Sequence, residues 1–367
     1  MSNEMLDPHL LDEKVKEQDV VWSDARSAPF SLCGVYYDEG AGAYRRLKRA
    51  LAESVNRGVR YYASCTAGGR LRFLTDSPYV AISAKIPHVG VESNMPLTTM
   101  CGFSLYCDGI FRGKLSATAA EARASAEGEV IFAGTIRTRM PAGTLCACEL
   151  YFPLYGGLRE LWIGLAEGAT LLPPRPYTRV KPMVFYGSSI TQGAAASRPG
   201  NECGAILARR FDSDYINLGF SGSGNGEEPM LDYLCGLDAG AYIFDYNLWQ
   251  SRPERILPPH YEIYRRLREA HPEVPILLID KPGITFAPED HAIRAPIIRA
   301  TYERAKREGD RLVAYLDSAD IFGRAVGEAA SADAFADTAH PNDLGFYMMA
   351  NAMEPILAEL FKRAEER

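Results

Sequence analysis

The sequence predicts two domains, a β-sandwich followed by a three-layer α/β/α domain built on a five-stranded parallel sheet. Three observations lead there. The 367 residues exceed what a single core usually organises. The first half reads as short strands broken by Gly, Pro, Asp and Asn, the second as apolar runs alternating with longer amphipathic segments. Between them, Leu172-Pro173-Pro174-Arg175-Pro176 stiffens the chain and denies it regular pairing, which places the boundary. The expected division is an N-terminal extension over 1–20, the sandwich over 21–172, a proline-rich linker over 173–181 and the α/β/α domain over 182–367.

In the first half, strands are predicted over 71–78, 79–86, 102–106, 130–134, 145–152 and 160–164, where β-branched and aromatic residues alternate between turn signals. The stretch from Tyr44 to Val55 looks helical, as a surface helix or a polar insertion. In the second half, five short apolar runs read as buried parallel strands: Val184-Phe185-Tyr186, Tyr215 to Leu218, Tyr242-Ile243-Phe244, Ile276 to Ile279 and Leu312 to Leu316. Helices are predicted between them, at Tyr261 to Ala270 and Ala295 to Arg307, and at the end from Asn342 to Arg363. In that last helix Pro341 suits the first helical position and Asp343 the opening turn. In such a sheet, reactive groups gather at the carboxyl ends of the strands.

Composition narrows the function. A formal charge of -7 without a concentrated basic run argues against nucleic acid as the main ligand. The amino terminus carries acids where a secretory signal would carry positive charge, and no apolar stretch has the length of a membrane span, so a cytoplasmic protein is expected. The eight cysteines lack paired metal or redox spacing and read as buried free thiols. Cys146-Ala147-Cys148 points two thiols to one strand face, but with no His or second pair nearby it is not read as a metal site.

Chemistry concentrates after the predicted strands. Gly187-Ser188-Ser189 puts a hydroxyl at the end of the first, and Asp337-Thr338-Ala339-His340 supplies an imidazole and a carboxylate. A serine hydroxyl needs a neutral imidazole within hydrogen-bond reach, itself held in one tautomer by a third group. Gly222 after the second strand and Asn247 after the third offer an amide N–H and a side-chain donor. With the amide of Ser189 they would form a three-donor oxyanion hole, where losing one donor typically costs about 2.7–4 kcal/mol in the barrier. Phe220, Tyr246 and Trp249 flank that hole and are candidates for stacking on a sugar ring. His9, His88, His260, His271 and His291 read as solvated or capping residues without partners, and Asp245 and Asp280 as turn carboxylates. The α/β-hydrolase elbow wants G-x-S-x-G, and Thr191 stands at its last glycine.

Taken together, GSSITQG (Ser189), NLGFSG (Gly222), DYN (Asn247) and DTAHPND (Asp337, His340) resemble the four blocks of the SGNH (GDSL-type) hydrolase superfamily, over roughly 180–365. Ser188 replaces the aspartate of the common GDS form, and the third block lacks the usual G-x-N-D frame. The resemblance implies a flavodoxin-like catalytic domain. The first half is similar, through Tyr44-Arg45-Arg46-Leu47, 72–77 and 102–106, to the jelly-roll-like sandwich attached to some SGNH carbohydrate esterases. That implies an acetyl esterase acting on acetylated xylan- or mannan-type oligosaccharides, with Ser189, Asp337 and His340 catalytic and neither metal nor cofactor needed. A thioesterase or lysophospholipase, or an inactive carbohydrate-binding relative, is the alternative. Whether the sandwich completes the pocket, within one chain or across a homodimer, is left open by the sequence.

Overall fold

Our computed structural model describes residues 14–87, 89–90, 92–124, 128–245, 257–280, 286, 288–322 and 331–366. Strands are numbered in chain order. In the first half, one antiparallel sheet runs β1 (Val20–Asp24), β11 (Glu160–Ala166), β6 (Tyr79–Ile86), β9 (Val130–Arg137). The facing sheet runs β12 (Leu171–Leu172), β5 (Arg70–Thr75), β10 (Cys146–Tyr151), β7 (Phe103–Cys107), β8 (Ile110–Leu115), with β2 (Ser31–Cys33) also pairing β5. A hairpin of β3 (Tyr36–Asp38) and β4 (Ala43–Arg45) stands apart. Alternation explains the layering, because Val130, Phe132 and Ile136 of β9 point into the core while Ile131 faces out. The helical-looking stretch from Tyr44 divides: Tyr44 and Arg45 belong to β4, and the helix covers Arg49–Val55.

Five parallel strands form the second sheet in the order β14 (Ser213–Gly219), β13 (Arg179–Gly187), β15 (Ala241–Asp245), β16 (Ile276–Ile279), β17 (Val313–Leu316). This is the doubly wound order in which the second strand lies outside the first. Successive residues of β13 feed opposite faces: Met183 and Phe185 join a core continuous with the sandwich and the C-terminal helix, Val184 and Tyr186 a core under the helices Glu228–Cys235 and Leu257–Ala270. Every one of the five predicted strands is present. The C-terminal helix spans Asp343–Glu365, and Pro341 lies outside it. Asn342 is the N-cap, accepting from the Gly345 N–H, while Pro341 pairs with Phe335 in an isolated bridge. Among the described residues no helix is long and apolar enough to cross a membrane.

The two halves are bonded together through buried groups. Arg46, only 4% exposed, donates to the carbonyls of Tyr62 (2.5 Å) and Cys65 (3.1 Å) in its own half and of Asn217 (3.1 Å) and Gly219 (2.6 Å) in the other. Arg70, fully buried, reaches the Tyr215 carbonyl and pairs with Asp214. Gly68, in the left-handed region at φ 78°, brings the sandwich backbone so close that an added Cβ would lie 2.7 Å from that of Asn217.

Candidate active site

β13, β14 and β15 end side by side, with Gly187 in register with Gly219 on one flank and with Asp245 on the other. The chain leaves β13 directly into a one-turn helix, Ser189–Gln192, whose N-cap is Ser188. Ser188 Oγ accepts from the Ile190 N–H (3.1 Å) and donates to Asp245 Oδ2 (2.8 Å). Thr191 Oγ1 donates to the same carboxylate oxygen at 3.0 Å. Asp245, expected as a turn carboxylate, thus clamps the turn that presents Ser189. The serine in place of the family's aspartate does capping work. Gly219 must be glycine, since its Cβ would stand 2.1 Å from the Gln192 nitrogen.

Ser189 Oγ lies 2.9 Å from His340 Nε2, and His340 Nδ1 lies 2.8 Å from Asp337 Oδ2. The other carboxylate oxygen, Oδ1, accepts the backbone N–H of Ala339 and of His340, both at 2.7 Å. Burial would raise the Asp337 pKa, but the hydrogen bonds from His340, Asn94 and the Ala339 amide hold it down at about 2. A carboxylate kept ionised accepts the hydrogen bond from Nδ1–H, which fixes the tautomer whose Nε2 lone pair faces the serine hydroxyl. The two loops are tied together, the Ala195 N–H donating to the Pro341 carbonyl at 2.9 Å. Ser197 donates through both its N–H and its hydroxyl to Asp343, closing the loop after Ser189 onto the C-terminal helix.

Gly222 sits at φ 58° in the turn after β14, which rests on the Ser189–Gln192 helix through a bond from the Ser221 N–H to Gln192 Oε1 (3.1 Å). Among the described residues, nothing accepts from the amides of Ser189 or Gly222. Asn247, Tyr246 and Trp249 lie outside the described residues. Phe220 corrects the sequence reading. It is 0% exposed and packs under the Arg46 guanidinium, 4.7 Å from the ring centroid, so its face is taken by the core and not open to a sugar.

Sequence reasoning missed two contributors from the sandwich. Asn94 Nδ2 donates to Asp337 Oδ2 at 2.8 Å, and the buried Tyr155 hydroxyl donates to the Ser189 carbonyl at 3.3 Å. Neither is near a motif, and neither partner is near in sequence. Three histidines read as partnerless are partnered: His260 Nδ1 lies 2.8 Å from Thr301 Oγ1 with burial pushing its pKa down to about 4, His271 Nε2 lies 3.1 Å from the Tyr242 hydroxyl, and His291 Nε2 lies 3.4 Å from both Asp280 and Asp317. Cys146 and Cys148 do have a neighbour, Cys107 across the β7–β10 pair, with Cys148 Sγ 3.7 Å from each of the other two. All three are free and buried, at a spacing that close packing alone gives.

A parallel sheet carrying a serine, an imidazole and a carboxylate in hydrogen-bonded sequence at its carboxyl rim is the arrangement of a serine hydrolase. Residues 180–358 match the GDSL-like Lipase/Acylhydrolase family, and residues 20–171 match the N-terminus of Esterase_SGNH_hydro-type proteins. The chain belongs to the SGNH (GDSL-type) hydrolase superfamily. It is similar in structure to a protein described as a GDSL-like lipase from Bacteroides ovatus, at 25% identity over 94% of this chain and 98% of that one, with a TM-score of 0.78. The salicylyl-acyltransferase SsfX3 of a tetracycline biosynthetic pathway shares 21% identity over 94% and 98% of the two chains, TM-score 0.71. An acetyl xylan esterase, Est2A, from the rumen bacterium Butyrivibrio proteoclasticus shares 12% over 93% and 98%, TM-score 0.57. No curated protein matches the sequence.

Proposed function

We propose that the protein is a serine esterase that removes O-acetyl groups from carbohydrate. The observation that carries the reading is the unbroken line Ser189 Oγ, His340 Nε2, His340 Nδ1, Asp337 Oδ2, with contacts of 2.9 and 2.8 Å. Ser189 attacks the acetyl carbonyl as His340 takes its proton. The tetrahedral oxyanion is received by the amide N–H groups of Ser189 and Gly222 and, in this reading, by the side chain of Asn247. His340 returns the proton to the departing sugar hydroxyl, then deprotonates the water that releases acetate, while Asp337 steadies the imidazolium. The choice of an acetylated sugar is supported by the shared two-domain architecture with Est2A and with a family two carbohydrate esterase from Cellvibrio japonicus. Intracellular oligosaccharides are the substrates this reading assigns.

The acyltransferase SsfX3 supports a second reading, because the same acyl-enzyme can be opened by an alcohol in place of water. The test is turnover of p-nitrophenyl acetate and of a panel of acetylated xylo- and manno-oligosaccharides by the wild type and by Ser189→Ala. Acetate release by the wild type and its loss in a folded Ser189→Ala protein are expected. Retained turnover in the variant removes Ser189 from its role. Acyl transfer to added alcohols outrunning acetate release selects the second reading.

A further inference from the structure

We infer that Asn94, a sandwich residue, is a positioning residue for the reaction at Ser189, so that the N-terminal half supplies part of the catalytic machinery. The inference rests on the esterase reading and extends it. Asp337 has about four lone-pair positions to fill. Three are taken within its own loop, by the Ala339 and His340 amides on Oδ1 and by His340 Nδ1 on Oδ2. The fourth donor is Asn94 Nδ2, 2.8 Å from Oδ2, from a residue 243 positions away in sequence. The same nitrogen lies 3.4 Å from His340 Nδ1, so the amide sits in the angle between acid and base.

That amide is held. The loop bearing Asn94 runs into the helix Leu97–Cys101, where the Met95 N–H bonds to the Glu92 carbonyl and the Thr99 N–H to that of Pro96. Thr99 is fully buried and its hydroxyl donates to the Ala196 carbonyl of the nucleophile loop, while its own carbonyl accepts the amides of Leu154 and Tyr155. One short helix therefore fixes Asn94 relative to the serine loop, which the bond from the Ala195 N–H to the Pro341 carbonyl ties to the histidine loop. A donor on Oδ2 stops the carboxylate from rotating away from the imidazole and moderates its basicity toward Nδ1. The groups acting on Asp337 are His340, Asn94 and the Ala339 amide.

Two variants test this in the full chain, with Ser189→Ala as control. Asn94→Ala removes the donor, and kcat on p-nitrophenyl acetate is expected to fall about tenfold, the worth of one hydrogen bond to a charged group, with KM unchanged. The carboxylate, one donor short, becomes a stronger base toward His340, so the acid limb of kcat/KM moves to higher pH. Asn94→Asp keeps the side-chain volume but sets a second negative charge against Asp337, and the acid limb moves further in the same direction. The order wild type, Asn94→Ala, Asn94→Asp along the pH axis is the expected result, and a loosened loop would not produce it. Variants that keep the wild-type acid limb overturn the inference, whether or not kcat falls. Turnover by Ser189→Ala overturns the esterase reading instead.

Discussion

Replacing Arg46 by methionine keeps a long side chain in place and removes every donor it carries. In the wild type, burial pushes the guanidinium pKa down to about 10, so it stays protonated at neutral pH, bonded to four carbonyls and lying over Phe220. Each carbonyl left buried without a donor costs about 1–3 kcal/mol, of which relaxation and entering water recover part. With four carbonyls losing their donor and part of the cost recovered, about 4 kcal/mol is the expected loss here. For a chain of 367 residues that corresponds to a fall in melting temperature of about 5 °C. The same change frees the Asn217 and Gly219 carbonyls at the end of β14, just before the turn that carries Gly222, so esterase activity below the new melting temperature is expected to drop about tenfold. Arg46→Lys, with three donors on one atom, belongs between the two. Calorimetry or thermal denaturation followed by circular dichroism, with p-nitrophenyl acetate turnover measured in parallel, reads both effects. A loss of stability under about 1 kcal/mol would show that the contacts across the two halves do not depend on this side chain, and the reasoning would fail.

Gly219→Ala drives a methyl group into the Gln192 backbone, and a displacement of the nucleophile helix by about 1 Å is expected to cost on the order of 10²-fold in kcat while the protein remains folded. A kcat within twofold of wild type would refute the close approach. Asp337 gives a pH signature in stability. Its folded-state pKa, about 2, lies below the ordinary 3.8, so its contribution is present above pH 3.8 and is lost as the pH falls through about 2. Melting temperatures of Asp337→Asn should lack that part of the acid-induced decline, and identical acid profiles for variant and wild type would count against it.

Ser189, Asp337 and His340 are legible in the sequence because each sits in a short local pattern whose geometry follows from its own backbone. Ser189 opens a helix at a strand end, and Asp337 binds the amides of residues only two and three positions on. The five parallel strands are legible for the same reason, as short apolar runs bounded by turns. Asn94, Tyr155 and the bonding role of Arg46 are not, since their partners lie across the domain boundary and only the packing of two folded halves brings them together. Phe220 misleads because an aromatic next to a strand end reads alike whether it lines a pocket or fills a core. What decides is Arg46, whose guanidinium covers the ring. Asp245 looks like an ordinary turn residue until Ser188 and Thr191, 57 and 54 positions earlier, are seen to donate to it.

For laboratory recombination, the proline stretch after residue 172 is a poor crossover point. A chimera crossed over there would inherit a rim whose aspartate lacks the amide it is fitted to, and a foreign surface would face the carbonyls of residues 217 and 219 where a guanidinium is required. Swaps that respect these bonds must carry both halves as one unit, or transplant Arg46, Gly68 and Asn94 together with the segment they grip.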